Sequence, residues 1–271
     1  MIEGLVIEGI SDISELVSSM EISLTLDSVS QITFNVWDEK LELLANNYFQ
    51  IRRVLTYNGI EFEIAAAELS QGLGKGGMHK IEARRRVIQQ MKRDKSPQSY
   101  GGVSATDYAR ILAEKFGLKF VGQTTAVKRS IVKATSGNNA ESAWDVLRRL
   151  AGEAQFSVFE SEGTLYFASQ EWLIQKWGNY EFRWPAPETG PFMMLEIPTC
   201  RRSDDDPNAA EFQASLARPN ATGLRPGMTI NLRGLYAYDG PYLISEVAYA
   251  EGEDTPVGIS CKTPEKMEDK T

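Results

Sequence analysis

The chain has 271 residues, a net charge of −8 and 42% hydrophobic residues, an ordinary globular composition that argues against a disordered or fibrous protein. The acidic balance also argues against a specific nucleic-acid binder, because a negative surface does not gather phosphates through counterion release. No apolar run approaches the roughly 20 residues that span a bilayer, and residues 1–9 lack the pattern of a secretory signal, so we expect no membrane insertion.

The first ninety residues have the period-two alternation of β-strands. Four strands are predicted in this part of the chain: 20–26, 32–36, 48–57 and 60–66. The first two repeat the same phase, with Met20 and Ile22 on the buried face of one and Phe34 on that of the other, which predicts an antiparallel hairpin. Asn58 and Gly59 favour the positive φ of a tight turn between the last two strands.

A glycine cluster and a basic segment follow these strands. The glycines at 72, 74, 76 and 77 predict a mobile loop at a hairpin tip and not a phosphate loop. The segment Lys80–Asp94 carries five basic residues: Arg84, Arg85, Arg86, Lys92 and Arg93. Val87, Ile88 and Met91 between them have the pattern of a buried face. We therefore expect surface or inter-subunit salt bridges from the basic side chains in preference to phosphate contacts.

From Val103 the apolar period changes to that of helices. Ser104 and Asp107 have the spacing of a capping box, and a stripe from Tyr108 to Phe116 ends at Gly117. A second helix is predicted between Asn139 as its N-cap and Gly152 as its end, with an apolar stripe of Ala143, Leu147, Leu150 and Ala151. A short strand at 130–134 and a hairpin of 156–160 with 164–168 complete a compact α+β unit.

The last third of the chain returns to β-structure. Trp172–Pro198, rich in Pro and aromatic residues, predicts a linker. Strands are predicted beyond it at 212–216, 229–235, 242–248 and 257–262, with a turn at 239–241 and a charged, frayed tail at 264–271. The predicted fold is α+β, mainly β: two small β-barrel-like units, at 1–94 and 186–271, with an α+β domain inserted at 95–185.

Residues that carry catalysis or bind metals are scarce. His79 is the only histidine, and beside a glycine-rich loop we expect it to be exposed to solvent and not catalytic. Cys200 and Cys261 lack the spacing of a zinc site or a disulfide framework, and Asp204–Asp206 lacks the alternating ligands of a calcium loop. We predict no catalytic, cofactor or metal residues and no enzymatic activity, although 37 acidic residues leave a glycosidase pair open.

The order of several segments resembles the baseplate hub proteins of phage tails, a family related to phage late-control proteins and to the spike hubs of contractile injection systems. A leading β unit ends in Lys80–Asp94. The helix at 104–116 leads into EKFGL, and residues 138–169 read NNAESAWDVLRRLAGEAQFSVFESEGTLYFAS. GLRPGMTINLRGL from Gly223 and DGPYLISEVAY from Asp239 resemble the final β unit of such hubs.

The resemblance implies a structural subunit of the tail tip. Two similar β units in each chain would let a homotrimer present six of them around a lumen, which matches a sixfold tail tube to a threefold tip. The implied partners are the tail tube or distal tail protein, tip or spike proteins and the tape measure protein, with transient, non-specific passage of DNA. The implied location is the virion tail, after assembly in the host cytoplasm. No hydrolase or spike follows the second β unit, so we expect any lytic activity on another protein.

Four aromatic residues near the linker support an alternative function. They are Trp172, Trp177, Tyr180 and Trp184. Aromatic side chains with free edges stack on sugars, so the alternative is a carbohydrate- or receptor-binding tail module. Packing beneath the linker or at a subunit interface also explains these residues.

Overall fold

The computed structural model describes residues 4–8, 13–26, 28–71, 76–97, 99–133, 140–176, 179–185, 194–203, 206–217, 221, 223–251 and 255–265. The strands are β1 (Leu5–Ile7), β2 (Val17–Thr25), β3 (Gln31–Asp38), β4 (Val54–Tyr57), β5 (Ile60–Gln71), β6 (Gly77–Arg85), β7 (Ser99–Ser104), β8 (Lys119–Gly122), β9 (Lys128–Val132), β10 (Ser157–Ser161), β11 (Thr164–Ala168), β12 (Asn179–Arg183), β13 (Thr199–Ser203), β14 (Asp206–Leu216), β15 (Thr229–Arg233), β16 (Gly240–Ala250) and β17 (Val257–Lys262). The helices are α1 (Glu42–Ala45), α2 (Arg86–Arg93), α3 (Ala105–Lys115), α4 (Ala143–Ala154) and α5 (Gln170–Lys176). The predicted α+β, mainly β class is confirmed.

The chain forms two compact units. Unit 1 comprises Met1–Leu24, Val29–Gln89 and Ala248–Pro256, and unit 2 comprises Thr25–Ser28, Gln90–Val247 and Val257–Thr271. The predicted division into three domains with boundaries at 94/95 and 185/186 stays a prediction. None of the helices in the described ranges is both long and apolar enough to cross a lipid bilayer.

Unit 1 is built on an antiparallel sheet with the strand order β1-β4-β5-β6-β3-β2. The predicted hairpin is confirmed: Met20 lies opposite Phe34 and Ile22 opposite Ile32. The predicted turn between β4 and β5 is also confirmed, since Asn58 has a φ of 49° and Gly59 a φ of 77°. Every strand contributes buried apolar side chains to one core: Leu5, Ile7, Met20, Ile22, Ile32, Phe34, Val36, Leu55, Tyr57, Phe62, Ile64, Ile81 and Ala83.

A segment from far along the chain completes unit 1. Tyr249 packs against the core, and the Glu251 N–H donates to the Met20 carbonyl oxygen at 2.8 Å. The Tyr57 hydroxyl also bonds the Glu251 carboxylate. Within the described residues the predicted barrel-like closure is absent, since the strands are not closed into barrels. The three-residue β1 lies at an end of the strand order.

A second set of β-strands, in unit 2, has the strand order β12-β15-β16-β17-β14-β13. The predicted strands correspond to β14, β15, β16 and β17, whereas β12 and β13 were not predicted. Strands β13–β17 follow the same order as β2–β6: each set pairs its first strand with its second, then its fifth, fourth and third. The sixth strand differs, since β1 is antiparallel to β4 and β12 is parallel to β15. Five strands of unit 2 therefore repeat the strand order of five strands of unit 1.

The rest of unit 2 is the α+β part. Strands β10 and β11 form the predicted hairpin, β8 adds to it in parallel, and β7 pairs with β9. The capping box at Ser104 and Asp107 is confirmed. Helix α4 begins after Ser142, with Asp145 completing its capping box, and continues past Gly152 to Ala154, so the predicted helix limits were wrong. Asn139 itself lies outside the described residues.

Two packing features connect these elements. The apolar stripe of α4 is buried as predicted: Ala143, Leu147, Leu150 and Ala151. Helix α5 places Leu173 in a cluster with Phe159 of β10 and Leu243 of β16. The predicted linker Trp172–Pro198 was therefore wrong in part, since it contains most of α5 and all of β12.

Candidate functional site

His79 is buried in unit 1, so the prediction that it is exposed to solvent was wrong. Strand β6 begins at Gly77, so His79 lies within a strand and not in a loop, and its side chain is on the buried face of that strand. Its Nε2 lies 3.2 Å from the Asp38 Oδ2, and both side chains are almost fully buried. The same carboxylate oxygen accepts a hydrogen bond from the Leu44 N–H at 3.1 Å. The pair thus holds the segment around α1 against the sheet.

A pocket lies beside this pair. It has a volume of about 110 Å³ and is lined by Leu43, Leu44, Asn47, Phe49, Ala67, Glu68, Leu69 and His79. Leu44 of α1 and Leu69 of β5 are 46% and 45% exposed. We call this the Leu69 pocket. Its lining residues are apolar except for Asn47, Glu68 and His79.

The backbone around the Leu69 pocket is strained. Leu41, Asn47 and Arg52 have φ values of 58°, 55° and 73°, in the left-handed region that residues other than glycine seldom adopt. Such conformations concentrate at functional segments, where the surrounding structure holds them in place. A further anchor comes from the Arg52 N–H, which donates to the Ile64 carbonyl oxygen at 2.8 Å. The pocket is therefore supported by a fixed, strained segment.

The basic segment divides between β6 and α2. Arg85 is buried, donates to the Glu61 carbonyl oxygen at 2.9 Å and lies over the Phe62 ring. Arg86 makes a partly exposed ion pair with the Glu61 carboxylate at 2.9 Å. Lys92 and Arg93 occupy the last turn of α2. An ion pair of the expected kind is therefore present, at Arg86.

Asp94 is the centre of a polar cluster in unit 2. Its carboxylate accepts from Lys115 at 2.7 Å, from Lys133 at 3.3 Å and from Ser96. Burial raises the pKa of Asp94, but the hydrogen bonds from Lys115 and Ser96 and the charge of Lys133 outweigh it and hold the pKa well below the ordinary value of 3.8. The Asp94 carbonyl oxygen also accepts from the Ala143 N–H. Asp94 thus joins α2, α3, α4 and the end of β9.

Cys200 and Cys261 carry free thiols. They lie on β13 and β17, the two strands that flank β14, and each is paired with Phe212 of β14. Burial raises the pKa of each thiol, so neither has the thiolate character of a nucleophile. Asp204 and Asp205 lie outside the described residues. Within the ranges that the structure describes, no group of three or more His, Cys, Asp or Glu side chains could hold a metal ion.

The predicted aromatic set lies on different elements. Trp172 belongs to α5, is partly buried against the Leu173 cluster and has the Lys176 ammonium 5.7 Å from its ring. Tyr180 belongs to β12, and Trp184 follows that strand. Trp177 lies outside the described residues. The sugar-binding alternative stays a prediction.

The most exposed large apolar side chain described is one that the sequence did not single out. Tyr236 is 92% exposed and has a φ of 51°. It belongs to residues 234–239, which join β15 to β16 and which we call the Tyr236 loop. The Leu235 N–H donates to the Asp239 carboxylate at 2.7 Å, and the Arg202 guanidinium lies 5.1 Å from the Tyr238 ring. Tyr236 therefore protrudes from a braced turn.

Three exposed arginines flank the Tyr236 loop. Arg183 and Arg233 lie side by side on β12 and β15, and Arg202 donates to the Ala237 carbonyl oxygen.

The net charge of the chain is unequal between the two units: unit 1 has a net charge of −7 and unit 2 has a net charge of −1. The Leu69 pocket is in the acidic unit and the arginines are in the other.

The fold is similar to that of solved tail proteins. The 43 kDa tail protein of prophage MuSo2 from Shewanella oneidensis is 12% identical, with a TM-score of 0.66 over 95% of this chain and 96% of that one. Prophage tail protein gp18 from Listeria monocytogenes EGD-e is 10% identical, with a TM-score of 0.61 over 98% of this chain and 96% of that one.

A secretion-system protein has a similar fold as well. The E. coli c3393 protein is a component of the type VI secretion system with structural similarity to the T4 phage tail proteins gp27 and gp5. It is 11% identical, with a TM-score of 0.66 over 97% of this chain and 77% of that one. No protein-family model and no curated protein sequence match the chain. The resemblance to phage tail hubs is thus confirmed at the level of the fold.

Proposed function

We propose that the chain is a non-enzymatic hub subunit of a phage-type tail. Three copies form a ring at the tail tip that joins the tail tube to the tip and lets DNA pass. The ring's partners are the tail tube or distal tail protein, tip or spike proteins and the tape measure protein. The subunit is assembled in the host cytoplasm and resides in the virion tail.

One observation carries the proposal: β13–β17 repeat the strand order of β2–β6. Three chains with two such five-stranded sets each contain six sets of the same strand order. A threefold assembly can then contact a sixfold tube with matching surfaces. We infer that the two β-rich parts, at 1–94 and 186–271, form the ring, and that the α+β part at 95–185 lies on its outside.

Two further observations support this assignment. The solved structures with a similar fold are named as tail proteins or as a component of a secretion system related to tail proteins. The net charge of −8 also suits a channel for DNA, because a basic lumen would bind phosphates and slow their passage.

Electron microscopy of the particle that contains this chain tests the proposal. We expect three copies around the tail axis, next to the tube. A single copy, or copies on the periphery of the tip, would contradict it. Incubation of the purified chain with bacterial cell wall tests the non-enzymatic part, and we expect no released sugar or peptide. Turnover that follows the chain through purification would contradict that part.

A further inference from the structure

We propose that the Tyr236 loop of one copy docks into the Leu69 pocket of a neighbouring copy. This contact rests on the proposed ring of three copies and names the residues that would close it. It joins unit 2 of each copy to unit 1 of the next. A contact between two different surfaces is heterologous, and repeated copies joined in this way form either a closed ring or a filament.

Tyr236 has the properties of an interface anchor. Tyrosine is among the residue types that dominate binding energy at interfaces, because it buries a large rigid ring and keeps a polar hydroxyl. Exposure of 92% of such a side chain leaves nearly all its apolar surface available. The surrounding turn is held by the Asp239 carboxylate and by Arg202 against Tyr238, so little ordering is needed on binding.

The Leu69 pocket has the size and lining that such a ring requires. An enclosed apolar cavity of about 150 Å³ binds benzene, and this open pocket of about 110 Å³ admits the tip of a phenol ring. Leu44 and Leu69 offer exposed apolar surface to the ring faces. Asn47, which also lines the pocket, offers its amide oxygen as an acceptor to the tyrosine hydroxyl.

The charges favour this pairing over contacts between like units. Arg202 contacts the Tyr236 loop and Arg233 is the last residue of the strand before it, whereas Arg183, which is paired with Arg233, forms an ion pair with Glu181. The pocket belongs to the unit with a net charge of −7. Charges act over a Debye length of about 8 Å at physiological salt, so arginines at the edge of the contact steer association more than they stabilise it. Lys80 lies opposite Glu68 across the strands, so burial of Tyr236 and not the Glu68 charge is the main attraction.

Cross-linking between copies tests the contact directly. Full-length Ala237→Cys and Ala67→Cys chains, which keep Tyr236 and Leu69 and place the cysteines in the same loop and the same pocket, are mixed and treated with a short thiol-reactive cross-linker, and the products are separated by mass. We expect a linked dimer from the mixture, and linked trimers from a chain that carries both substitutions. Each single variant alone controls for reaction at Cys200 and Cys261, and a Val127→Cys chain, cysteine at an apolar site that is 73% exposed, controls for random collision.

Association of the full chain gives a second measurement. Because truncation of an anchor residue costs an interface at least about tenfold in affinity, we expect Tyr236→Ala to raise the concentration needed for trimers by that factor or more, in mass photometry or sedimentation. Val127→Ala should leave it unchanged. Circular dichroism of each variant confirms that it is folded.

The outcomes separate this contact from the proposed hub. Trimers that form without a 237–67 link and tolerate Tyr236→Ala would overturn the contact and leave the hub intact. A wild-type chain that is monomeric at every concentration, with no 237–67 link between the cysteine variants, would also overturn the contact. The hub itself is decided separately, by the number and place of copies in the particle.

Discussion

Replacement of Asp94 with alanine is the sharpest test of how unit 2 is held together. The substitution removes the carboxylate that accepts from Lys115 and Lys133. The Lys133 side chain is only 3% exposed, so it cannot turn to solvent when its acceptor is lost. The Lys115 side chain is 35% exposed and can be hydrated in place. The loss therefore falls mainly on Lys133.

The expected cost follows from these two exposures. Removal of one partner of a buried ion pair costs about 3–5 kcal/mol, because a charge is left buried without compensation. Asp94 is itself partly exposed, so we expect the low end of this range, about 3 kcal/mol in the free energy of unfolding. Lys115→Ala is the matched control and should cost less than about 1 kcal/mol, since its ion pair is largely solvated. Asp94→Leu combined with Lys133→Met should recover most of the loss.

Urea unfolding measures these differences, and hydrogen exchange of α4 peptides reports them locally. The pH dependence has a defined sign. The pKa of Asp94 is lower in the folded chain than the ordinary 3.8, so its contribution is fully present above that pH and is lost as the pH falls through the folded pKa. The difference between wild type and Asp94→Ala should thus be constant from neutral pH to about pH 5 and shrink in stronger acid. A cost below about 1 kcal/mol, or a difference that widens in acid, would refute this reasoning.

Four other substitutions test particular contacts. Ser142→Ala removes the hydroxyl that accepts from the Asp145 N–H and should cost about 1 kcal/mol in urea unfolding; a neutral result would contradict the capping role. Gly234→Ala should lower the Tm, since its Cβ would overlap the Trp184 carbonyl oxygen, whereas Gly152→Ala has open space inside α4 and should raise the free energy of unfolding by about 0.5–1 kcal/mol. Shifts of the same sign would count against this contrast. His79→Ala should speed hydrogen exchange in residues 41–48, because Asp38 then loses its partner on β6; unchanged protection would show that the pair does not hold α1.

The strands that were predicted correctly are those whose burial alternates locally. The β2–β3 hairpin could be predicted because the apolar residues Met20, Ile22, Ile32 and Phe34 alternate with polar residues and so mark one buried face. The turn at Asn58 could be predicted because Asn followed by Gly59 favours positive φ. The hairpin β10–β11 likewise turns at Glu162 and Gly163, both with positive φ. In each case the determining residues are within a few positions of one another, so one sequence suffices.

The errors arose where two local signals compete. Asn139 and Ser142 are both good N-cap residues, but only Ser142 is followed three residues later by an acid, Asp145, that returns the hydrogen bond. Gly152 was taken as a helix end, yet the left-handed cap is Gln155, with a φ of 55°. Glycine in a helix costs only about 1 kcal/mol, and the buried stripe of α4 outweighs it.

The strands that were missed depend on distant partners. β12 reads Asn-Tyr-Glu-Phe-Arg and alternates over only five residues, with Phe182 buried, and its place is decided by pairing with β15, about fifty positions along the chain. β13 reads Thr-Cys-Arg-Arg-Ser and has no apolar alternation. Pairing with a strand that is already buried can recruit a segment such as β13, and neither its composition nor its period records that pairing.

The candidate contact surfaces could not be predicted for the same reason. Leu44 and Leu69 have the composition of core residues, and only the fold shows that they are exposed beside a pocket. The sequence does not distinguish Tyr236 from the other aromatic residues, because its exposure depends on the fold. His79 shows the reverse case, since a glycine-rich neighbourhood suggested a loop and the register of β6 buried it.

The contribution of residues 248–256 to unit 1 has a consequence for biosynthesis. A ribosome makes chains from the N-terminus at about 5–20 residues per second, so β2–β6 emerge roughly ten to thirty seconds before Tyr249 and Glu251 arrive to cover Met20 and Tyr57. During that interval β2, in the sheet made first, lacks its contact with Glu251. The first unit to be translated is therefore among the last to be finished, and a nascent chain released before residue 251 would leave an unpaired strand available to other nascent chains.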